Sequence, residues 1–115
     1  MATTYTLISS TVLASNTATI TFSSIPSTYT DLVVRLSARN VGSGNMYIKL
    51  NNDTTTKYSQ TRLFAEGTGI ASSRETSASY FYFYPGSTRS SLTANTFTNG
   101  EIYFPSYNST STKPF

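Results

Sequence analysis

Apolar and polar side chains alternate along several short stretches of the chain, and this alternation predicts β-strands. Successive side chains of a strand point to opposite faces, so a strand with one buried face alternates between apolar and polar residues. The clearest case is residues 17–22, where Ala18, Ile20 and Phe22 share one face and three threonines share the other. Residues 4–10 predict an earlier strand.

Two further alternating stretches, residues 31–39 and 45–51, flank the loop sequence NVGSGN. Glycines tolerate positive φ angles, so this loop can reverse the direction of the chain. We therefore predict that the two stretches pair as an antiparallel hairpin. The side chains predicted to face the core are Leu32, Val34, Leu36, Ala38, Met46, Ile48 and Leu50.

The second half of the chain predicts more strands separated by polar turns. Residues 57–67 alternate weakly and predict a strand, whereas residues 67–78 are polar and predict a long loop or an irregular edge. Residues 100–107 predict a last strand that ends at Pro105, because proline has no N–H to donate to the ladder. No stretch has helical periodicity. The sequence therefore predicts an all-β fold, an antiparallel, jelly-roll-like β-sandwich, as a single domain over residues 1–115.

Five aromatic rings follow one another in the sequence SYFYFYPG. In a strand, Phe81 and Phe83 face one side, which we predict to be the core, while Tyr80, Tyr82 and Tyr84 face the other. Three interpretations of the tyrosine face remain open: a contact with another protein chain, a platform that stacks on sugar rings, or simple cover for the sheet. These three tyrosines are the candidate contact residues.

Composition narrows the classes of function. Only 11% of the residues are charged, and the 8 basic residues are scattered rather than clustered, so we predict no nucleic-acid partner despite the net charge of +3. The absence of cysteine and histidine rules out disulfides and removes the usual zinc ligands. No apolar run is long enough to span a membrane, and the N-terminus lacks a signal-peptide pattern, so we predict a protein made in the cytoplasm without membrane insertion.

The residues that catalysis needs are also missing. Without histidine a Ser-His-Asp triad cannot form, and no phosphate-binding glycine motif is present. The acidic residues show no paired arrangement, and Asp31 and Asp53 occupy positions typical of turns. The sequence Asn51–Asp53 predicts a hairpin turn rather than a calcium loop, because it lacks the spaced acids of such loops. We predict no enzyme activity, no cofactor and no metal.

Three segments of the chain resemble a known family: MATTYTLISST, FSSIPSTYTDLVVRLSAR and SLTANTFTNGEIYFPSYNSTSTKPF. Motifs of this kind occur in the same order in a family of small structural proteins of tailed bacteriophages, especially those of aquatic and cyanobacterial hosts. The resemblance covers both ends of the chain well and its middle loosely. It implies a non-enzymatic β-sandwich of the virion, made in the bacterial cytoplasm and assembled into a tail fibre or a related appendage.

The resemblance also implies partners. These are other virion proteins, further copies of the chain in an oligomer such as a trimer, and a host surface glycan if the appendage serves in attachment. Members of that family continue with further strands beyond the segment that matches NSTSTKPF. If the chain ends at Phe115, we expect a neighbouring subunit to complete a sheet edge, and if further residues follow, the same edge is filled within the chain. Two other interpretations stay open at this point: a capsid decoration or cement protein, and a carbohydrate-binding module that uses the tyrosine face.

Overall fold

The chain is an all-β protein. The computed structural model describes residues 4–42, 45–66, 68–83 and 93–110, and within these ranges it contains strands and turns but no helix. The strands are β1 (Leu32–Ala38), β2 (Met46–Ile48), β3 (Tyr58–Glu66), β4 (Gly69–Ala78), β5 (Phe81–Phe83) and β6 (Thr98–Phe104). They pair as β1 with β6, β2 with β5 and β3 with β4. The all-β prediction is confirmed, while the packing of sheets into a jelly-roll-like sandwich stays a prediction.

Two compact units make up the chain. One is built from its two ends, Met1–Leu36 and Gly100–Phe115, and the other from the continuous stretch Ser37–Asn99. The first unit contains most of the β1–β6 pair, and the second contains the β2–β5 and β3–β4 pairs. The assignment of residues 1–115 to one domain stays a prediction.

The last strand, β6, forms as the alternation predicts. Ile102 and Phe104 are buried, whereas the alternate residues Glu101 and Tyr103 are exposed. The strand ends at Phe104, directly before Pro105. Both the burial pattern and the role of the proline are confirmed.

The predicted hairpin between the stretches 31–39 and 45–51 is wrong. Both stretches contain strands, β1 and β2, but they belong to different sheets. The alternation itself holds in β2, where Met46 and Ile48 are half-buried and Tyr47 is exposed. The error has a physical reason: alternation specifies the face that a side chain takes, but it carries no information about the neighbouring strand.

The two strands predicted before Leu32 are also wrong. The described residues contain no strand before β1, and the side chains of Ile20 and Phe22, predicted to face inward, are exposed. A strand exists only where a partner satisfies its backbone N–H and C=O groups. Residues 17–22 have the right pattern but no partner within the part of the chain that the structure describes.

The hairpin that does form joins β3 to β4. The two strands are antiparallel, with Arg62 opposite Ser73 and Glu66 opposite Gly69, and a register shift follows Tyr58. The predicted strand at residues 57–67 is therefore confirmed. Of the two alternatives for residues 67–78, the long loop is wrong and the irregular edge is right, because β4 lies in a sheet of two strands with a register shift within the described residues. The backbone supplies the ladder hydrogen bonds, so a Ser/Thr-rich strand beside a local partner needs no apolar alternation.

A turn forms at Asn51–Asp53 as predicted, but it is not the turn of a hairpin, because β2 before it and β3 after it pair with different strands. Asn51 and Asn52 have positive φ angles of 52° and 54°, a conformation that asparagine tolerates better than most residues. The Asp53 N–H donates to the Leu50 carbonyl over 2.9 Å, which closes the turn. One Asp53 carboxylate oxygen accepts hydrogen bonds from the Thr55 hydroxyl and N–H, and these bonds lower the pKa of Asp53.

Candidate contact surface

The candidate tyrosines are positioned by the short β2–β5 pair. In its antiparallel register Tyr47 lies opposite Tyr82, and Ile48 lies opposite Phe81. Side chains directly opposite each other share a face, so the tyrosines and the apolar pair point to opposite sides. Phe81 is only 4% exposed and Phe83 is half-buried. The prediction that Phe81 faces the core is confirmed.

Three tyrosine rings form one cluster on the opposite side. The centroid of the Tyr47 ring lies 4.4 Å from that of Tyr80 and 5.1 Å from that of Tyr82, and the Tyr80 and Tyr82 rings meet edge to face at 5.3 Å. Such tilted contacts are the preferred geometry for aromatic pairs. We call Tyr47, Tyr80 and Tyr82 the tyrosine cluster. Tyr84, the third tyrosine of the prediction, lies outside the described residues.

Side chains of β3 hold Tyr82 in place. The guanidinium carbon of Arg62 lies 5.0 Å from the centroid of the Tyr82 ring. The Tyr82 N–H donates to the side-chain oxygen of Gln60 over 3.0 Å, and the Gln60 amide nitrogen donates to Glu75 over 2.7 Å. Arg62 also lies 3.7 Å from the Glu75 carboxylate. This network links β5 to the β3–β4 hairpin.

The hydroxyl group of Tyr82 stays neutral over a wide pH range. It lies 3.5 Å from the hydroxyl oxygen of Tyr80, and this hydrogen bond is the main cause that raises the pKa of Tyr82 to about 12. Partial removal from water and the negative charges that Tyr80, Glu75 and Tyr47 can carry act in the same direction. The Tyr82 hydroxyl is therefore uncharged under ordinary conditions.

Ring orientation limits what the tyrosine cluster can bind. A sugar platform needs open, flat ring faces, but these rings are tilted by 55° to 87° and pack on one another. Tyr47 is 50% exposed, whereas Tyr80 and Tyr82 are half-buried and Arg62 covers Tyr82. The cluster covers the β2–β5 pair and exposes mainly one ring. A contact role for Tyr80, Tyr82 and Tyr84 stays a prediction.

Sequence reasoning missed Tyr47 as a member of this cluster. The alternation of residues 45–51 placed Tyr47 on an outward face, but the predicted partner of that stretch was the wrong strand. Only the pairing of β2 with β5 brings Tyr47 to Tyr82. The sequence held one signal for this pairing: Tyr47 and Tyr82 are both outward-facing tyrosines on short strands, and aromatic side chains often lie opposite each other in paired strands.

Exposed large apolar side chains outnumber the buried ones among the described residues. Among the described residues only Tyr58, Phe81, Ile102 and Phe104 are buried apolar side chains, and none of them is fully buried. Fifteen large apolar or tyrosine side chains are exposed instead. They are Tyr5, Leu7, Ile8, Val12, Leu13, Ile20, Phe22, Ile25, Val41, Tyr47, Leu63, Phe64, Ile70, Phe97 and Tyr103.

Two parts of the chain carry most of these exposed side chains. Residues 4–25, which we call the N-terminal segment, contain eight of them, including Leu7 at 79% and Val12 at 95% exposure. The end of the β3–β4 hairpin carries three, including Leu63 at 79% and Ile70 at 80%. Large exposed apolar patches often mark contact sites on proteins, so both parts of the chain are candidates for such contacts.

Two of the three segments that resemble the phage family contact each other around Asp31. The Asp31 carboxylate accepts hydrogen bonds from the Tyr103 hydroxyl over 2.8 Å and from the Ser106 N–H over 2.7 Å. The Ser106 bond is the larger cause of a lowered pKa for Asp31, and the bond to Asp31 raises the pKa of Tyr103. Asp31 is thus engaged in a structural contact, as its position in the sequence predicts.

Backbone carbonyls of the same turn are bound from the other end of the chain. The Tyr107 hydroxyl donates to the Pro26 carbonyl, and the Asn108 amide donates to the Ser27 carbonyl over 3.0 Å. The Tyr107 N–H donates to the Thr30 carbonyl over 3.1 Å. These hydrogen bonds connect the sequence IPSTYTD to the sequence EIYFPSYN, which gives a physical reason for finding the two sequences in one chain.

Two further kinds of feature were sought in the described part of the chain, a membrane-spanning helix and a metal site. This part of the chain has no helix with the length and hydropathy that a membrane span requires. No three of its histidine, cysteine, aspartate or glutamate side chains come close enough to hold a metal ion.

Comparisons with protein-family models, with curated proteins and with solved structures found no match to this chain.

Proposed function

We propose that the chain is a non-enzymatic structural subunit of a tailed-phage virion, located in a tail fibre or a related tail appendage. It acts by assembling with other virion proteins and with further copies of itself. The observation that carries this proposal is the excess of exposed apolar side chains over buried ones in the described residues.

Burial energetics support an assembling protein. Full burial of one large apolar side chain stabilises a structure by about 1.5–3 kcal/mol, so the four mostly buried side chains of the described residues give those residues a small core. The exposed side chains offer a larger gain, which burial against a second protein surface would realise. Permanent assemblies bury apolar surface of this kind.

Surface chemistry agrees with permanent assembly. With only 11% charged residues, the chain brings few charges into a contact, so few charges must lose their water on assembly. The tilted, self-packed rings of the tyrosine cluster favour sheet cover and protein contact over the sugar-binding alternative. The location in a phage tail rests on the resemblance of the terminal segments, whose contact around Asp31 makes them one structural unit.

Immunolabelling tests this proposal directly. Purified particles of the phage that encodes the chain would be incubated with an antibody against it and imaged by electron microscopy. Label on the tail or its fibres is the expected result. An even coat on the head would replace the appendage with a capsid decoration protein, and particles without label would overturn the virion proposal.

A matched measurement separates sugar binding from assembly. The full-length protein and its Tyr47→Ala variant, which removes the most exposed ring of the tyrosine cluster, would be applied to a glycan array. We expect no bound glycan for either protein. Binding that disappears in the variant would favour the carbohydrate-binding module.

A further inference from the structure

We propose that the N-terminal segment pairs as a β-strand with the β1–β6 sheet of a second copy of the chain. This inference deepens the proposed function, because it names the segment through which copies assemble. It can fail while the virion role holds, since a subunit can also assemble through other surfaces.

The first argument is the pattern of the N-terminal segment. Residues 17–22 have strict strand alternation, yet the described chain provides no strand that pairs with them. Their apolar face, represented by Ile20 and Phe22, is exposed. A segment with this pattern gains both backbone hydrogen bonds and apolar burial when it joins a sheet.

The second argument is the absence of protection against pairing. The first charged residue of the chain is Asp31, and residues 4–25 contain neither proline nor glycine. Natural proteins blunt exposed strand edges with charges, proline and bulges to prevent association with other chains. The N-terminal segment carries none of the charges or prolines that would block a strand contact.

The third argument is the acceptor. Within the described residues the β1–β6 sheet has two strands. Two strands alone are at most marginally stable in water, and a third strand with an apolar face makes a sheet stable. Ile102 and Phe104 are the buried side chains that β6 contributes, so an added strand would extend an existing apolar face.

The area available matches what a stable contact needs. The N-terminal segment exposes eight large apolar or tyrosine side chains. At about 100 Å² each they amount to about 800 Å², the area that each partner contributes to a standard protein–protein interface. Reciprocal exchange of the segment between two copies would bury this area twice.

A second copy fits better than an unrelated partner because donor and acceptor are present on the same chain. The segment has no charge that could select a partner of opposite sign, and the described residues contain no third strand in the β1–β6 sheet. Exchange of identical segments closes into a symmetric dimer or ring, so the assembly has a defined size. Such addition of a strand to the sheet of a neighbour is a known mode of subunit contact.

Light scattering on full-length variants tests the energetics. Ile20→Asp places a charge on the apolar face of the segment, and Thr19→Asp places the same charge on the opposite face as the matched control. We expect the wild type to be oligomeric, Ile20→Asp to associate about tenfold to hundredfold more weakly, and Thr19→Asp to stay within about threefold of the wild type. A monomeric wild type, or equal effects of the two variants, would overturn the proposal.

Cross-linking tests whether the contact joins two copies. The chain has no cysteine, so single cysteines are unique labels. A chain with Thr21→Cys and a chain with Glu101→Cys, carrying tags of different length, would be co-expressed and treated with a short bismaleimide cross-linker. In the control, a chain with Thr61→Cys on β3 takes the place of the Glu101→Cys chain. We expect a mixed dimer with Glu101→Cys and little with Thr61→Cys.

Two outcomes of the cross-linking would refute strand exchange. Equal yields with both acceptor positions would indicate unspecific contact. If the mixed pair does not cross-link while the Thr21→Cys/Glu101→Cys double variant cross-links within one chain, the segment pairs with its own sheet. Tail labelling by the antibody would be unchanged in either case, which distinguishes this failure from failure of the proposed function.

Discussion

Removal of the Tyr58 hydroxyl should destabilise the unit built from Ser37–Asn99. The Tyr58 side chain is only 9% exposed. Its hydroxyl accepts a hydrogen bond from the Leu50 N–H over 3.0 Å, and its proton is within reach of the carbonyls of Leu50, at 3.3 Å, and Asp53, at 3.2 Å. Tyr58→Phe deletes all of these interactions, so the turn at residues 50–53 loses its hydrogen bonds to the side chain of residue 58.

The magnitude follows from what the substitution leaves unchanged. The ring of residue 58 keeps its contact with Phe81, at 5.7 Å between centroids, so apolar burial is preserved. The loss therefore comes from the hydrogen bonds, each contributing about 0.5–1.5 kcal/mol net, and from a Leu50 N–H that no longer has its acceptor. We expect the free energy of unfolding to fall by about 2 kcal/mol.

Urea denaturation followed by far-UV circular dichroism measures this change. All proteins must be compared at one concentration, because self-association would shift the apparent stability. Tyr47→Phe is the matched control, since it removes a hydroxyl from a half-exposed ring and should change stability by less than about 0.5 kcal/mol. Equal stability of Tyr58→Phe and wild type, or equal losses in the two variants, would contradict the assigned role of the hydroxyl.

Three further predictions concern acid stability, alkaline titration and the core. The pKa of Asp31 is lowered in the folded state, so its ionised carboxylate stabilises the fold fully above the unfolded-state pKa of about 3.9. This stabilisation disappears as the pH falls through the folded-state pKa. In melts followed by circular dichroism, Asp31→Asn should therefore lack this acid-dependent loss of stability. The raised pKa of Tyr82 means that its contribution is complete below about pH 10 and disappears as the pH rises towards about 12. Besides Tyr103, whose pKa is also raised, ultraviolet absorbance should therefore show a late-titrating tyrosine that Tyr80→Phe shifts to lower pH. A titration that the substitution leaves unshifted would contradict this assignment. Ile102→Ala should cost about 2–5 kcal/mol of unfolding free energy in urea, and a loss below about 1 kcal/mol would show that the residue is not packed as described.

Alternation predicted the faces of individual strands well. It placed Ile102, Phe104 and Phe81 inward, and all three are buried. It also placed Tyr82 on the face opposite Phe81, where the structure has it. These predictions succeed because the face of a side chain depends only on local backbone geometry and on which side is apolar.

Strand existence was predicted less well, because a strand belongs to a pair and not to one segment. Residues 17–22 have the better pattern and are not a strand, whereas β4 has almost no apolar pattern and is one. β4 forms because β3 precedes it as a close antiparallel partner. The N-terminal segment has no such neighbour along the chain.

The same limit applies to the candidate surface. Tyr80 and Tyr82 were recognised from their own spacing, but Tyr47 joins them only through the β2–β5 pairing. The charge-free character of the N-terminal segment was visible in the sequence, yet its exposure was not, because the pattern predicted burial. Long-range pairing is the information that one sequence does not contain.

The pairing of β1 with β6 also sets the order in which the chain can fold. The Tyr103 hydroxyl that binds Asp31 lies 72 residues further along the chain, whereas the β3–β4 hairpin closes between adjacent strands. Closing a long loop costs more entropy than closing a short one, and a growing chain cannot close it before the distant partner has been synthesised. The hairpin can therefore form on the ribosome before β6 has been synthesised. Until then β1 lacks the strand that pairs with it, and Asp31 lacks the Tyr103 and Ser106 groups that bind it.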